Sequence, residues 1–248
     1  MLRGAGTLLN VTTILVGSGL GVLLGHRLPE RTRTTVTDAL GLVTLVIGAL
    51  NVAALSDPAF RAAVGDSGTL LVVLGALLVG GVTGSLLRLE DRLEGSGAWL
   101  QRRLSRGDVS EGRARFVEGY VSASLVFVIG PLAVLGSLSD GLGRGIDQLA
   151  LKSTLDGFAA LAFAASLGWG VAASALSVGI VQGLLTLLGF ALGGLLPASV
   201  VAAVTATGGI LLLGVALRLL DLKRVAVGDL LPALLVAPAL TALVDAVT

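Results

Sequence analysis

The chain has 248 residues, 54% of them hydrophobic and 13% charged, with a mean hydropathy of +0.96; a soluble domain averages roughly 25% charged residues, so this is a membrane composition. The absence of cysteine excludes disulfides, thiolate catalysis and cysteine metal sites, and the single histidine, His26, excludes a multi-histidine zinc centre. A formal net charge of +1 gives no basic field for nucleic acid.

An apolar run of about 20 residues crosses a bilayer as a helix. Eight runs meet this description, at roughly 6–24, 36–55, 68–87, 118–137, 152–170, 172–194, 200–219 and 229–247. The first is followed by the charged cap HRLPERTR and no cleavage site, so it is expected to be retained as a helix. The fifth and sixth abut at Gly168-Trp169-Gly170, which leaves seven spans as the alternative count. The expected fold class is therefore all-α, a polytopic transmembrane helical bundle forming one domain over residues 1–248.

Lys and Arg distribution sets the orientation. With the N-terminus outside, the inner loops hold 13 of the 17 basic residues, leaving Arg3, Arg61, Arg144 and Lys152 for the outer side. The longest loop, 88–115, places Leu89, Leu93, Leu100 and Leu104 near one helical face, with Trp99 adjacent and arginines opposite. That pattern predicts a cytoplasmic amphipathic segment lying on anionic headgroups.

The chain also carries an internal match. Gly21, Gly25, Leu28-Pro29, Val36-Thr37 and Gly41 align with Gly189, Gly193, Leu196-Pro197, Val204-Thr205 and Gly209. Val64-Gly65-Asp66 precedes span three as Val227-Gly228-Asp229 precedes span eight. Spans one to three thus resemble spans six to eight. An offset of five helices is odd, so the second copy enters the membrane from the opposite side, the arrangement of inverted-repeat transporters.

Polar groups within lipid mark sites by default. Glu118 opens span four, with Ser122 one turn on and Ser124 beyond. Gly130-Pro131 lies mid-span, where proline frees a carbonyl of the preceding turn. Asp140-Gly141 reads as an outer turn. Lys152 and Asp156 are four residues apart on span five and can pair on one helical face. Asn10, Asn51, Gln182, Thr186, Thr205 and Thr207 read individually as interhelical hydrogen bonds, and Pro232 and Pro238 interrupt span eight. The glycine stripes in GSGLGVLLG, GALLVGGVTG and GFALGG read as packing faces. The candidate substrate or ion site is Glu118, Ser122, Gly130, Pro131, Lys152 and Asp156. No phosphate-binding glycine loop and no nucleophile–base–acid set is present, so neither cofactor nor enzyme activity is expected.

The segments GTLLNVTTILVGSGLGVLLGHRLPE, LLRLEDRLE, RFVEGYVSASLVFVIGPLAVLGSLSDGL, LKSTLDGFAALAFAASLGWG, TATGGILLLGVALRLL and VGDLLPALL together resemble the bacterial membrane-protein family labelled domain of unknown function 554. The resemblance covers nearly the whole chain and implies a bacterial inner or plasma membrane protein. Some members are named as transporters without a defined substrate, and the family supplies no catalytic residues to carry over. The sequence reading is thus a small-solute or ion transporter in contact with the bilayer, with homo-oligomerisation left open. The alternative is a non-transporting scaffold or sensor acting through the 88–115 loop.

Overall fold

A computed structural model describes residues 3–25, 29–92, 95, 99, 110–128, 131–143, 145–192 and 197–246. Among these the regular elements are helices: α1 Ala5–Gly25, α2 Glu30–Val52, a 3-10 turn Ala53–Ser56, α3 Pro58–Val64, α4 Gly68–Leu86, α5 Ser110–Val128, α6 Pro131–Gly141, α7 Asp147–Leu167, α8 Gly170–Leu192, α9 Ala198–Leu219, α10 Val227–Leu230 and α11 Ala233–Asp245. Local chemistry sets several boundaries. Asp57 caps α3 by accepting from the N–H groups of Ala59 and Phe60, with Pro58 at the first helical position. Gly168 ends α7 at φ 77°, a conformation L side chains rarely adopt, so α7 and α8 are separate helices. Pro232 separates α10 from α11, whereas Pro238 is carried inside α11.

The expected all-α polytopic bundle is what the chain forms. By length and composition six segments can cross a membrane: Ala5–Gly25, Thr37–Ser56, Gly68–Leu86, Gly170–Ala191, Ala198–Leu219 and Val227–Asp245. A seventh is added if α5 and α6, bent by 77° at a short break, are one broken span. The expected count of eight is corrected by the fifth segment. With 21 residues, α7 is about 31 Å long, the thickness of a hydrocarbon core. Asp147, Lys152, Asp156 and neighbouring hydroxyls make it too polar to qualify on composition. Large apolar side chains elsewhere point outward, among them Leu8, Leu23, Leu78, Leu184 and Leu235. Such an inversion of the usual soluble pattern is what a lipid-facing surface requires.

Packing divides the chain into two compact units, Met1–Leu40 with Glu94–Val128 and Leu132–Leu195, and Gly41–Leu93 with Ile129–Pro131 and Leu196–Thr248. In the first unit α1 lies against α7. A Cβ at Gly17, Gly21 or Gly25 would run into the carbonyls of Gly157, Leu161 and Ala165 in turn. The small-residue stripe therefore lets the two backbones touch. The contacts advance together, so α1 and α7 run parallel. Helix α8 is antiparallel to α1, because Thr7 meets Thr186 while Asn10 meets Gln182. Helix α5 runs parallel to α8, with Phe116 beside Gly170 and Ser124 beside Ser177.

In the second unit, Gly41 rests on Leu219 and Leu220 while Gly48 rests on Gly209 and Leu213, so the later half of α2 is antiparallel to α9. Likewise α4 is antiparallel to α11, with Gly75 near Leu240 and Gly80 against Ala233. A core of mostly small residues around Phe60 fills the space between these helices: Phe60, Val72, Val73 and Ala76 pack with Ala202, Ala203, Ala206, Ala233 and Ala237.

Candidate functional site

In the first unit, Lys152 Nζ donates to Asp156 Oδ2 at 2.7 Å. The helical spacing that predicted this pair delivers it. Their side chains are only 8% and 10% exposed, so the two charges sit inside the packing rather than at an interface. Because α7 begins at Asp147, Asp156 lies about 14 Å along an axis of about 31 Å, close to mid-helix. Two other helices complete its surroundings. Asn10 of α1, fully buried, donates from Nδ2 to Asp156 Oδ2 at 3.0 Å and to Gln182 Oε1 of α8 at 3.2 Å. An ionised carboxylate only accepts, so it fixes which end of the Asn10 amide faces it. One turn further toward the start of α1, the Thr7 and Thr186 hydroxyls meet at 3.2 Å. The arrangement is an ion pair on one helix bonded to an amide of a second helix, which is bonded in turn to an amide of a third. Asn10 Oδ1 and Gln182 Nε2 are left buried without partners among the described residues.

Both ends of this unit are tied by charge. Asp140, read from sequence as an outer turn, is instead a buried residue in the last turn of α6. Its two oxygens accept from the N–H groups of Gly4 and Gly6, each at 3.0 Å. It thereby caps the positive end of α1 across 134 residues of sequence. At the other end, Arg115 donates from Nε to the Ser166 carbonyl at 2.8 Å and also from Nη2, closing the C-terminus of α7. Thr37 hydrogen-bonds the Ser166 hydroxyl.

The other sequence candidates lie apart from this network. Glu118 accepts from Ser122 Oγ at 3.0 Å on α5. That stretch of α5 packs beside Gly170, twelve residues and hence about 18 Å along α8 from Gln182. The structure does not bring Glu118 and Ser122 to Lys152 and Asp156. Pro131 opens α6 after the bend. Gly130 lies outside the described residues, as does most of the 88–115 segment, of which Trp99 is helical and exposed. The sequence reading also passed over Tyr120 and Ser177. Ser124 donates to Ser177 at 3.1 Å, and Ser177 donates to the Tyr120 hydroxyl at 3.0 Å. The only available signal was the periodicity of polar side chains along α8, where Ser174, Gln182 and Thr186 are all buried.

A second polar cluster closes one end of the other unit. Arg218 Nη1 donates to Glu90 Oε1 at 2.5 Å, and the Gly228 N–H donates to Glu90 Oε2 at 2.6 Å. In return the Glu90 N–H donates to Asp229 Oδ1 at 2.9 Å. Each acid caps the backbone of the other's segment, joining the ends of α4 and α9 to the start of α10. The cluster's carboxylates bond backbone N–H groups and Arg218, which is a structural role.

Residues 5–242 match the family described as Protein of unknown function (DUF554), and the chain belongs to it. It is 31% identical over 208 residues to Uncharacterized protein YqgA of Escherichia coli strain K12, covering 84% of this chain and 83% of that protein. It is 27% identical over 208 residues to Uncharacterized membrane protein YdfK of Bacillus subtilis strain 168, covering 84% of this chain and 82% of that protein. No solved structure matches.

Proposed function

We propose that this member of the DUF554 family, a multi-pass membrane protein, is a small-solute or ion transporter whose site is built on Lys152, Asp156, Asn10 and Gln182. The observation that carries the reading is the ion pair buried near the middle of α7 and bonded to the Asn10 amide, itself bonded to Gln182. A buried pair contributes little net stability, since desolvation offsets its attraction. Replacing it with packed apolar residues is often neutral, so a mid-helix pair in a membrane bundle is a mark of function.

Helix directions support the inverted repeat that this class uses. The equivalent spans one and six are α1 and α8, spans two and seven are α2 and α9, and spans three and eight are α4 and α11. Each of these pairs is antiparallel within its unit. Repeats of this kind hold their substrate near the midplane, and Asp156 lies close to the middle of α7. The distribution of basic residues favours a bacterial plasma membrane protein with its N-terminus outside. Site chemistry consisting of one ion pair, amides and hydroxyls suits binding and release rather than catalysis.

The test is a thermal-stability screen of the purified protein against solutes and ions, since a ligand of the folded state raises its stability. Any hit is followed by flux into proteoliposomes. We expect Lys152→Met plus Asp156→Leu to fold and to lose the ligand response and the flux. Full retention of both by that double variant would remove the pair from the site.

A further inference from the structure

The two buried, unpartnered atoms beside Asp156 are of opposite type. Asn10 Oδ1 is an acceptor and Gln182 Nε2 is a donor. Both belong to amides whose other ends are paired, and those ends are paired to each other. A half-turn of the Asn10 amide about its last bond exchanges Nδ2 and Oδ1. The oxygen then stands about 3.0 Å from Asp156 Oδ2, where the nitrogen now stands. An oxygen there would repel a carboxylate but accept from a carboxylic acid. It would also face Gln182 Oε1, acceptor against acceptor, so Gln182 must turn as well and present Nε2. After both turns, Asn10 Oδ1 accepts from the Asp156 acid and from Gln182 Nε2. The two idle atoms are the ones the protonated state requires.

We propose that Asp156 is a proton-exchanging carboxylate, and that Asn10 and Gln182 form a coupled amide switch that turns over when Asp156 takes a proton. This rests on the transport reading in that it names the ion the site exchanges. One proton leaves a hydronium ion of the aqueous phase and forms an O–H bond on Asp156. No electron moves, and the charge of the Lys152–Asp156 pair goes from zero to +1. Lys152 is then a buried cation without its counter-charge, which drives it toward water or an anionic group.

The surroundings favour a proton over a metal cation. Asp156 Oδ2 already accepts from the Lys152 ammonium at 2.7 Å and from Asn10 at 3.0 Å. An alkali ion needs several free oxygen ligands and would sit against that ammonium, whereas a proton needs neither. Asn10 of α1, which bonds Asp156, and Gln182 of α8, which bonds Asn10, are neutral amides, and Lys152 on α7 is the charge. The acids on the neighbouring helices are engaged elsewhere, Asp140 of α6 by Gly4 and Gly6, and Glu118 of α5 by Ser122.

The test is infrared difference spectroscopy of the purified full chain between alkaline and acid pH, with ¹³C-labelled Asp, Asn and Gln in separate samples. We expect a carboxylic-acid carbonyl band on the Asp label, and side-chain amide changes on the Asn and Gln labels that share its midpoint. Asp156→Asn should lose all three, while excess sodium at constant alkaline pH should produce none. The chain has ten other Asp residues, so the band is assigned by its loss, and Asp156→Glu, which keeps the acid but removes the Asp label there, serves should Asp156→Asn misfold. An acid band without the paired amide changes would overturn the switch. The same changes driven by sodium, or an Asp band left whole by the Asp156 variants, would overturn the proton site. A protein that shows all three bands yet moves no solute would uphold the proton site while sinking the transport reading.

Discussion

The Lys152–Asp156 pair separates what a residue contributes to stability from what it contributes to function. Removing one partner leaves the other charge buried and unpaired, at about 3–5 kcal/mol. Lys152→Met and Asp156→Leu alone should therefore each lower the unfolding midpoint in detergent strongly. The double variant should recover most of that loss, and scanning calorimetry of the four proteins closes the cycle. Two singles that cost nothing would show that the pair is hydrated rather than enclosed. Asp140 makes a different prediction, because its bonds run to backbone. Asp140→Ala strands the N–H groups of Gly4 and Gly6 and removes a cap from α1, a loss of about 1–2 kcal/mol. The pair was legible in the sequence because its geometry is local, one helical turn. Asn10 and Gln182 were legible only as polar residues, since Asn10 meets Asp156 across 146 residues and Gln182 across 172. Asp140 was misread because Asp-Gly is a turn signal on its own, and nothing local reveals a helix N-terminus packed against it.

Among the elements, α1 and α7 show how the glycine stripe works. Gly21 faces the Leu161 carbonyl, with Ala164 Cβ at 3.0 Å from where its own Cβ would be. Backbone cannot swing aside as a side-chain tip can. Gly21→Ala should force the helices apart and cost about 1–3 kcal/mol. Gly19, two residues earlier on the same helix, has open space at that position. Gly19→Ala should be neutral or stabilise by up to about 1 kcal/mol through helix propensity alone. Equal effects from the two, measured by thermal unfolding in one detergent, would contradict the parallel α1–α7 seam. The sequence identified these glycines as packing faces without identifying their partners. Span positions were readable from apolar run length. The 77° bend between α5 and α6 was readable only as a proline in mid-span, because proline marks where a helix breaks and tertiary packing decides how far.

For the whole molecule, the decisive question is whether α7 crosses, and helix direction bears on it independently of composition. Consecutive crossings alternate, so the first and fifth must be parallel and the first and sixth antiparallel. If the broken α5–α6 pair and α7 each count as one crossing, α7 is fifth and α8 sixth. Their observed directions relative to α1 are the required ones. The same count makes α2 and α9 second and seventh, and α4 and α11 third and eighth, both five apart and both observed antiparallel within their unit. With α5–α6 as one crossing, a surface α7 would make α8 the fifth crossing, parallel to α1, which it is not. With α5–α6 re-entrant as well, α8 would be fourth and antiparallel, so direction ties the crossing of α7 to that of the α5–α6 pair. If all eight segments cross, alternation puts both chain ends on one side and the loop after α4 on the other. The chain has no native cysteine, so single cysteines report cleanly. A cysteine at Ser96 should react with an impermeant maleimide only after cell lysis, whereas cysteines placed before α1 and after α11 should both react in intact cells. Labelling of Ser96→Cys from outside would reverse the orientation. Opposite behaviour of the two ends would mean that one of the eight segments does not cross, which would take the Lys152–Asp156 pair out of the membrane if that segment were α7.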